Sequence, residues 1–223
     1  MTFRTCIIAA AALCAAHGAS AGDLENVDTG WYLQAGPAAL AFDEGAELST
    51  GGTVIPGANA DLSNNFSFAL GVGYNFTPEF SIIGIIGVPP TTEITGRGVI
   101  DGLSAGEVTY GPAIVAANYH FRQFGKFQPF VGAGATYTLV VDDKDGAIQN
   151  LQVDNAVGGV LRAGFDYMVT DNSGIFMSVQ KLFVDTKITG TVNPAIPGFG
   201  GAPIEAKVDL DPLVFHAGYT YRF

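Results

Sequence analysis

Residues 64–76 alternate with a period of two. Phe66, Phe68, Leu70, Val72, Tyr74 and Phe76 share one parity, and Asn65, Ser67, Ala69, Gly71, Gly73 and Asn75 share the other. Successive side chains of a strand point to opposite faces, so this segment predicts a strand with one apolar face and one small or polar face. Aromatics stand at both ends of the apolar face with aliphatics between them. That distribution is expected where a strand crosses a bilayer between two interfacial aromatic belts. The same alternation recurs before and after. Trp31, Leu33, Ala35, Ala39 and Ala41 form one apolar row, and Val115, Ala117, Tyr119 and Phe121 end another. Further rows run from Phe127 through Val131, Tyr137 and Val141, and from Val153 through Val157, Leu161, Phe165 and Val169. Two segments are less regular: 80–88 is apolar on both faces, and 175–184 places Lys181 beside Leu182 and Phe183.

The punctuation between these rows is of two kinds. Short turns at 77–78, 123–126 and 170–174 follow aromatic strand ends, and long polar or Gly-rich stretches lie near 43–63, 95–106, 142–151 and 191–205. Short and long connections alternate strictly. Three of one kind and four of the other join eight strands. The fold expected is therefore all-β: an eight-stranded antiparallel up-and-down transmembrane β-barrel with short periplasmic turns and long outer loops. Pro37, Pro89, Pro90, Pro112, Pro129 and Pro212 fall within or beside these strands. Proline cannot donate to a ladder, so each weakens pairing or kinks the wall at its position.

The two ends of the chain agree with export. Arg4, the short apolar run 6–16 and the Ala19-Ser20-Ala21 site read as a cleaved signal peptide over residues 1–21, leaving 22–223 as one outer-membrane barrel domain. The apolar run is too short to span a bilayer. Both cysteines, Cys6 and Cys14, lie in that leader. The mature chain is thus expected to hold no disulfide, thiolate nucleophile or Cys-ligated metal. At the other end Leu213, Phe215, Ala217, Tyr219, Tyr221 and Phe223 alternate with Val214, His216, Gly218, Thr220 and Arg222. A final aromatic on such a strand resembles the assembly signal of bacterial outer-membrane barrels, carried here by Tyr219, Tyr221 and Phe223. The expected partners are the barrel assembly machinery, outer-membrane lipid and lipopolysaccharide.

Composition narrows the function further. The net charge of −11 comes with no basic cluster, which argues against nucleic-acid binding. Outside the leader the histidines are His120 and His216, with no carboxylates at metal-ligand spacing. No catalytic residue, metal site or cofactor is expected. A small acidic group, Asp142, Asp143 and Asp145, marks a loop apex. An eight-stranded barrel is just wide enough inside for side chains or one small ligand. The inward parity contains Gln34, Arg162, Asp166, Gln180, His216 and Arg222, so a polar plug in the lower half is expected, with Arg162 and Asp166 taking part. Leu40, Phe42, Val140, Leu182, Val184 and Leu210 fall on the inward parity of the upper half. They line an apolar channel on one reading and simply fill the interior on another.

Several segments carry a resemblance. Gly87-Val88-Pro89-Pro90-Thr91-Thr92, the run 106–121 (GEVTYGPAIVAANYHF), the run 128–137 (QPFVGAGATY) and the terminal Tyr221-Arg222-Phe223 together resemble the OmpW family of outer-membrane proteins of Gram-negative bacteria. The resemblance spans the chain after the leader and departs in the loops, most of all around 193–203. It implies a narrow apolar channel, closed toward the periplasm, from which small hydrophobic molecules leave sideways through the wall. The positions in the wall that fit such an opening are Pro89, Pro90 and Pro112, which otherwise serve to set bulges and curvature. The alternative function is a structural or surface-interaction barrel whose loops contact lipopolysaccharide, host factors or phage. A soluble lipocalin-like carrier would need the opposite arrangement of apolar and polar faces.

Overall fold

The computed structural model of the chain describes residues 29–42, 46–50, 53–98, 104–194, 200–209 and 211–223. The expected leader and Leu210 lie outside them. The wall is built from β1 (Gly30–Ala41), β4 (Asn65–Asn75), β5 (Phe80–Gly87), β7 (Ser104–His120), β8 (Phe127–Asp145), β10 (Ala156–Met168), β11 (Ser173–Phe183) and β14 (Leu213–Arg222). Each pairs antiparallel with its neighbours in the order β5-β4-β1-β14-β11-β10-β8-β7, and β7 pairs back onto β5. The cylinder is closed, and its eight strands are those the alternation predicts.

Closure follows from the solvent. Hydrocarbon offers no hydrogen-bond partner to a backbone amide, so a strand can cross a bilayer only where both of its edges are paired. The outward parity supplies the lipid face: Val72, Val115, Leu161 and Val179 are exposed midway along the wall, and Ile82, Val131 and Ile175 are exposed nearer its periplasmic end. Rings cluster at the periplasmic end. Trp31 meets Tyr74 edge-on with centroids 5.2 Å apart, and Phe80 meets Tyr119 at 5.0 Å. Phe66, Phe68, Tyr137 and Phe183 are the exposed rings toward the other end. Segment 80–88 looks apolar on both faces because it is: Ile83 and Ile85 point into the barrel while Ile82 and Ile86 face lipid.

The four long stretches expected as loops are largely strand. They contain β2 (Ala46–Thr50), β3 (Thr53–Leu62), β6 (Thr91–Gly98), β9 (Ile148–Val153), β12 (Asp185–Val192) and β13 (Pro203–Asp209). These pair with one another and with the upper half of β7, in the order β7-β6-β3-β2-β13-β12-β9, to continue the wall upward. Ten or so residues suffice for a tilted strand to cross hydrocarbon, and β8 has 19, so about half of it stands above the membrane. Pairing between neighbouring hairpins, rather than strong alternation within any one of them, makes these strands.

Breaks separate the wall from its extension, and side-chain parity changes at two of them. In β5 Ser81, Ile83 and Ile85 point inward, whereas in β6 Thr92 and Ile94 do. The two strands are joined through Val88-Pro89-Pro90. A second change falls at 154–155. Val153 therefore packs against the core, unlike Val157 and Leu161, with which the alternation had grouped it on the lipid face. An added residue in one strand flips every later side chain to the other face, and this shifts the lining of the extension without altering that of the barrel.

The lipid face gives a direct test. Val115→Arg would place a charge near mid-membrane, and we expect it to lower unfolding free energy by about 2–4 kcal/mol, measured by denaturant titration in lipid vesicles. The same change at Lys144, an exposed position of the extension, to Arg is expected to leave stability within about 0.5 kcal/mol.

Candidate functional site

The lower interior is polar and closely bonded. Gln34 Nε2 donates to Asp166 Oδ1 at 2.9 Å, and Arg222 Nη2 lies 3.7 Å from Asp166 Oδ2. Arg222 and Arg122 both donate to Gln128 Oε1, and Arg122 Nε also reaches the Pro78 carbonyl near the periplasmic turns. One layer on, Ser81 Oγ bridges Tyr32 Oη at 3.1 Å and His120 Nε2 at 2.9 Å, and Asn118 Nδ2 donates to Ser81 at 3.2 Å. Phe130 and Phe176 fill the space between these groups. Arg162 does not pair with Asp166. Its guanidinium lies over the Phe130 ring, 4.8 Å from the centroid. Four residues along a strand amount to about 13 Å, so two groups so spaced share a face without meeting. Asp166 instead finds its partners on β1 and β14.

Above this layer the interior turns apolar, and three cavities are bounded there by described residues. The lowest, about 410 Å³ with its open mouth, is lined by Leu40, Ala69, Ile85, Ile114 and Val214, with Gln180 and His216 among its polar groups and Ser67, Val88, Pro90 and Pro112 on the wall side. A middle cavity is lined by Leu40, Phe42, Tyr110, Pro112, Leu182 and Val184. An upper one lies within the extension, bounded by Ile94, Val108, Tyr110, Val140, Val153 and Ile188. Neighbours share walls. Tyr110 and Thr138 border both the upper and middle cavities, and Leu40 and Pro112 border both the middle and lower ones. Phe42 and Tyr110 meet edge-on at 6.1 Å, so an aromatic pair stands at the upper constriction. Leu40, Phe42, Val140, Leu182 and Val184 thus all border these cavities. Tyr110 and Ile94 border them too and were not singled out from the sequence. Tyr110 falls on a strand whose parity the sequence shows, beyond the last residue assigned to its row.

The wall beside the lowest cavity is interrupted. The β4–β5 ladder ends at Ala69–Gly87, and the β3–β6 ladder resumes at Leu62–Ile94. Continuing the register across the interval sets Ser67 opposite Pro89 and Phe66 opposite Pro90, where no N–H is available to the ladder. On the other side the β5–β7 ladder stops at Ile86–Ala113, next to Pro112, and pairing with β7 resumes at Thr91–Thr109. Two backbone bonds persist in the interval, from Val88 N–H to the Phe68 carbonyl at 2.9 Å and from Tyr110 N–H to the Pro90 carbonyl at 3.2 Å, and side chains satisfy part of the rest. Ser67 Oγ donates to the Val88 carbonyl, and Asn65 Nδ2 donates to the Ser63 carbonyl and to Thr92 Oγ1. Pro89, Pro90 and Pro112 therefore lie around one gap. The acidic group at the loop apex has a structural use in part, since Asp145 Oδ1 accepts the Leu151 N–H at 2.9 Å. At the C-terminus Tyr221 and Phe223 meet edge-on at 5.0 Å. Tyr219 donates to Ser173 Oγ at 2.8 Å.

The profile of the OmpW family matches residues 30–223, the whole of this barrel and its extension. The chain belongs to the OmpW family. Among relatives, the dibenzothiophene metabolism operon protein PahQ of Pseudomonas aeruginosa is 30% identical over 82% of this chain and 84% of its own. Outer membrane protein AlkL of Ectopseudomonas oleovorans is 26% identical over 81% and 76%. Among solved structures, OprG of Pseudomonas aeruginosa superimposes with a TM-score of 0.79 at 22% identity, covering 87% of this chain and 96% of OprG. AlkL in lipid bilayers gives 0.67 at 26% identity, covering 92% and 94%. This OmpW-family barrel is accordingly an outer-membrane protein, and the hydrophobic face described above is the one it turns to lipid.

The closure of this OmpW-family barrel below Gln34 is testable through its charges. Asp166→Leu removes the acceptor for Gln34 and the anion beside Arg222, and we expect it to cost about 3–5 kcal/mol of unfolding free energy. Adding Arg222→Met is expected to recover much of that loss in the same denaturant titration, because the second change removes the charge that the first leaves buried.

Proposed function

We propose that this barrel admits small hydrophobic molecules from outside the cell and releases them sideways into the outer membrane. The observation that carries the reading is the alignment of three apolar cavities with one gap in the wall. They follow one another from the extension to Ser67, Val88 and Pro90, and they end above a polar lower layer. Lipopolysaccharide presents a polar layer that apolar solutes cross poorly. A tube that begins above it and opens at the hydrocarbon bypasses that layer without a water-filled pore. The side exit suits the cargo, because the path as a whole takes an apolar solute from water into hydrocarbon, downhill by about 25 cal/mol per Å² of apolar surface. Exit through the polar lower layer would require the same solute to displace bonded groups. The name of the relative PahQ, a dibenzothiophene metabolism operon protein, supports an apolar aromatic cargo for this chain as well.

The test compares uptake of a small apolar fluorescent dye by cells with and without the protein, behind an intact lipopolysaccharide layer. Faster uptake is expected with it. Leu40→Asp or Phe42→Asp is expected to reduce the gain at least fivefold, since each puts a charge into a constricted apolar path. The chain's cysteines are confined to Cys6 and Cys14. A Ser67→Cys, Pro89→Cys pair can therefore be oxidised across the gap, and uptake should fall on oxidation and return on reduction. Equal uptake with and without the folded protein would favour the surface-interaction barrel instead.

A further inference from the structure

The floor of the lowest cavity does not match an entirely apolar cargo. Gln180 and His216 line it, and each is 1% exposed. Arg162 is the cross-strand partner of Gln180 on β10 and β11. Among the described residues no hydrogen-bond acceptor reaches its Nε, Nη1 or Nη2, and Gln180 Oε1 likewise has no partner. The one carboxylate described in this part of the interior, Asp166, is taken by Gln34 and Arg222. Arg162 does not itself border the cavity: it lies across the sheet from Gln180, over the Phe130 ring, and its donors have no acceptor there. A buried guanidinium presents five donors in a planar fork, and leaving them without acceptors costs several kcal/mol. The group that fits such a fork is a carboxylate, through two parallel N–H···O bonds.

We propose that the cavity floor is a head-group site for a small amphipathic acid, its carboxylate held by Arg162 and Gln180 and its apolar tail lying in the lowest cavity toward Ser67 and Pro90. The site rests on the hydrophobic-passage reading, and it names a class of cargo within it: aliphatic or aromatic carboxylic acids ahead of their neutral or cationic counterparts. Gln180 stands at the cavity surface and offers its amide to the head group first. Arg162, beside it, supplies the charge, undiminished by water in a closed interior. A cationic head would meet the same charge and be rejected.

Binding of decanoate and of decanol to the protein in phosphatidylcholine nanodiscs, each corrected against empty nanodiscs, separates the two ideas. The wild-type protein is expected to bind decanoate about tenfold more tightly than decanol, the increment of one charge-assisted pair. Arg162→Met should bring that ratio to about one, and Arg162→Lys should keep most of it. Gln180→Leu should lower it, with folding of each variant checked by heat-dependent electrophoretic mobility. A wild-type ratio near one overturns the proposal whether or not Arg162→Met folds, as does a ratio that survives in folded Arg162→Met. If decanol binds and the ratio is one, only the head-group site fails. If neither compound binds, the hydrophobic-passage reading fails with it.

Discussion

Every strand of this wall is subject to one rule: a backbone amide in hydrocarbon must find its partner within the protein. The rule closes the sheet through β5 and β7 and makes any interruption conspicuous. The interval around Pro89 and Pro90 is such an interruption, and it survives because the missing bonds are partly replaced. Ser67 reaches the Val88 carbonyl, and Asn65 reaches Thr92 Oγ1. These substitutes are side chains, each free to rotate about its own bonds. A ladder bond can be broken only by separating two strands. A side-chain bond can be exchanged while both strands stay in place. On the proposed reading the gap is where the wall would yield to a passing solute, by exchange of these side-chain bonds together with the backbone bonds left there, from Val88 N–H to the Phe68 carbonyl and from Tyr110 N–H to the Pro90 carbonyl.

The interior is graded to match. Polar groups, only some of them bonded to one another, fill the periplasmic half, and aliphatic groups with space between them fill the half above. The gap lies beside the lowest cavity, close to where these two regimes meet, since Gln180 and His216 share that cavity with Leu40 and Ile85. On the proposed reading a solute descending the apolar half would meet a rising cost below that level and a falling one sideways, so the difference in solvation between two faces of the same cavity would set its direction. The parity change through Val88-Pro89-Pro90 serves the same end, because it lets Thr92 and Ile94 line the extension although their neighbours of equal parity in β5, Ile82 and Ile86, face lipid.

The period-two pattern made the wall legible, because lipid outside and packed groups inside impose opposite demands on alternate residues. Turns were legible from Pro, Gly and polar residues after aromatic strand ends. The extension was not. Its strands have water on one side and are held by their neighbours' edges, so segments such as 53–62 and 203–209 need no strong alternation and read as loops. The pairing of Asp166 was hidden for another reason. Its partners Gln34 and Arg222 come from the far ends of the chain and meet it only when the barrel closes, whereas Arg162, near in sequence, is held apart by the length of the strand between them. The inward parity of Leu40, Phe42, Leu182 and Val184 could be read from alternation, but the cavities they border depend on side chains from β6, β7 and β12 as well.

That separation of Arg162 from Asp166 has a functional side. Had Arg162 found a carboxylate within the barrel, its donors would be satisfied and the floor of the lowest cavity would be a passive end wall. In the proposed head-group site Arg162 would make the floor selective: it would raise the affinity of an acid at the last position before the gap, and the same contact would slow the acid's departure. A neutral hydrocarbon experiences neither effect. The barrel would therefore sort its cargo by residence time: apolar molecules pass through, and amphipathic acids pause with their tails already at the opening to the membrane.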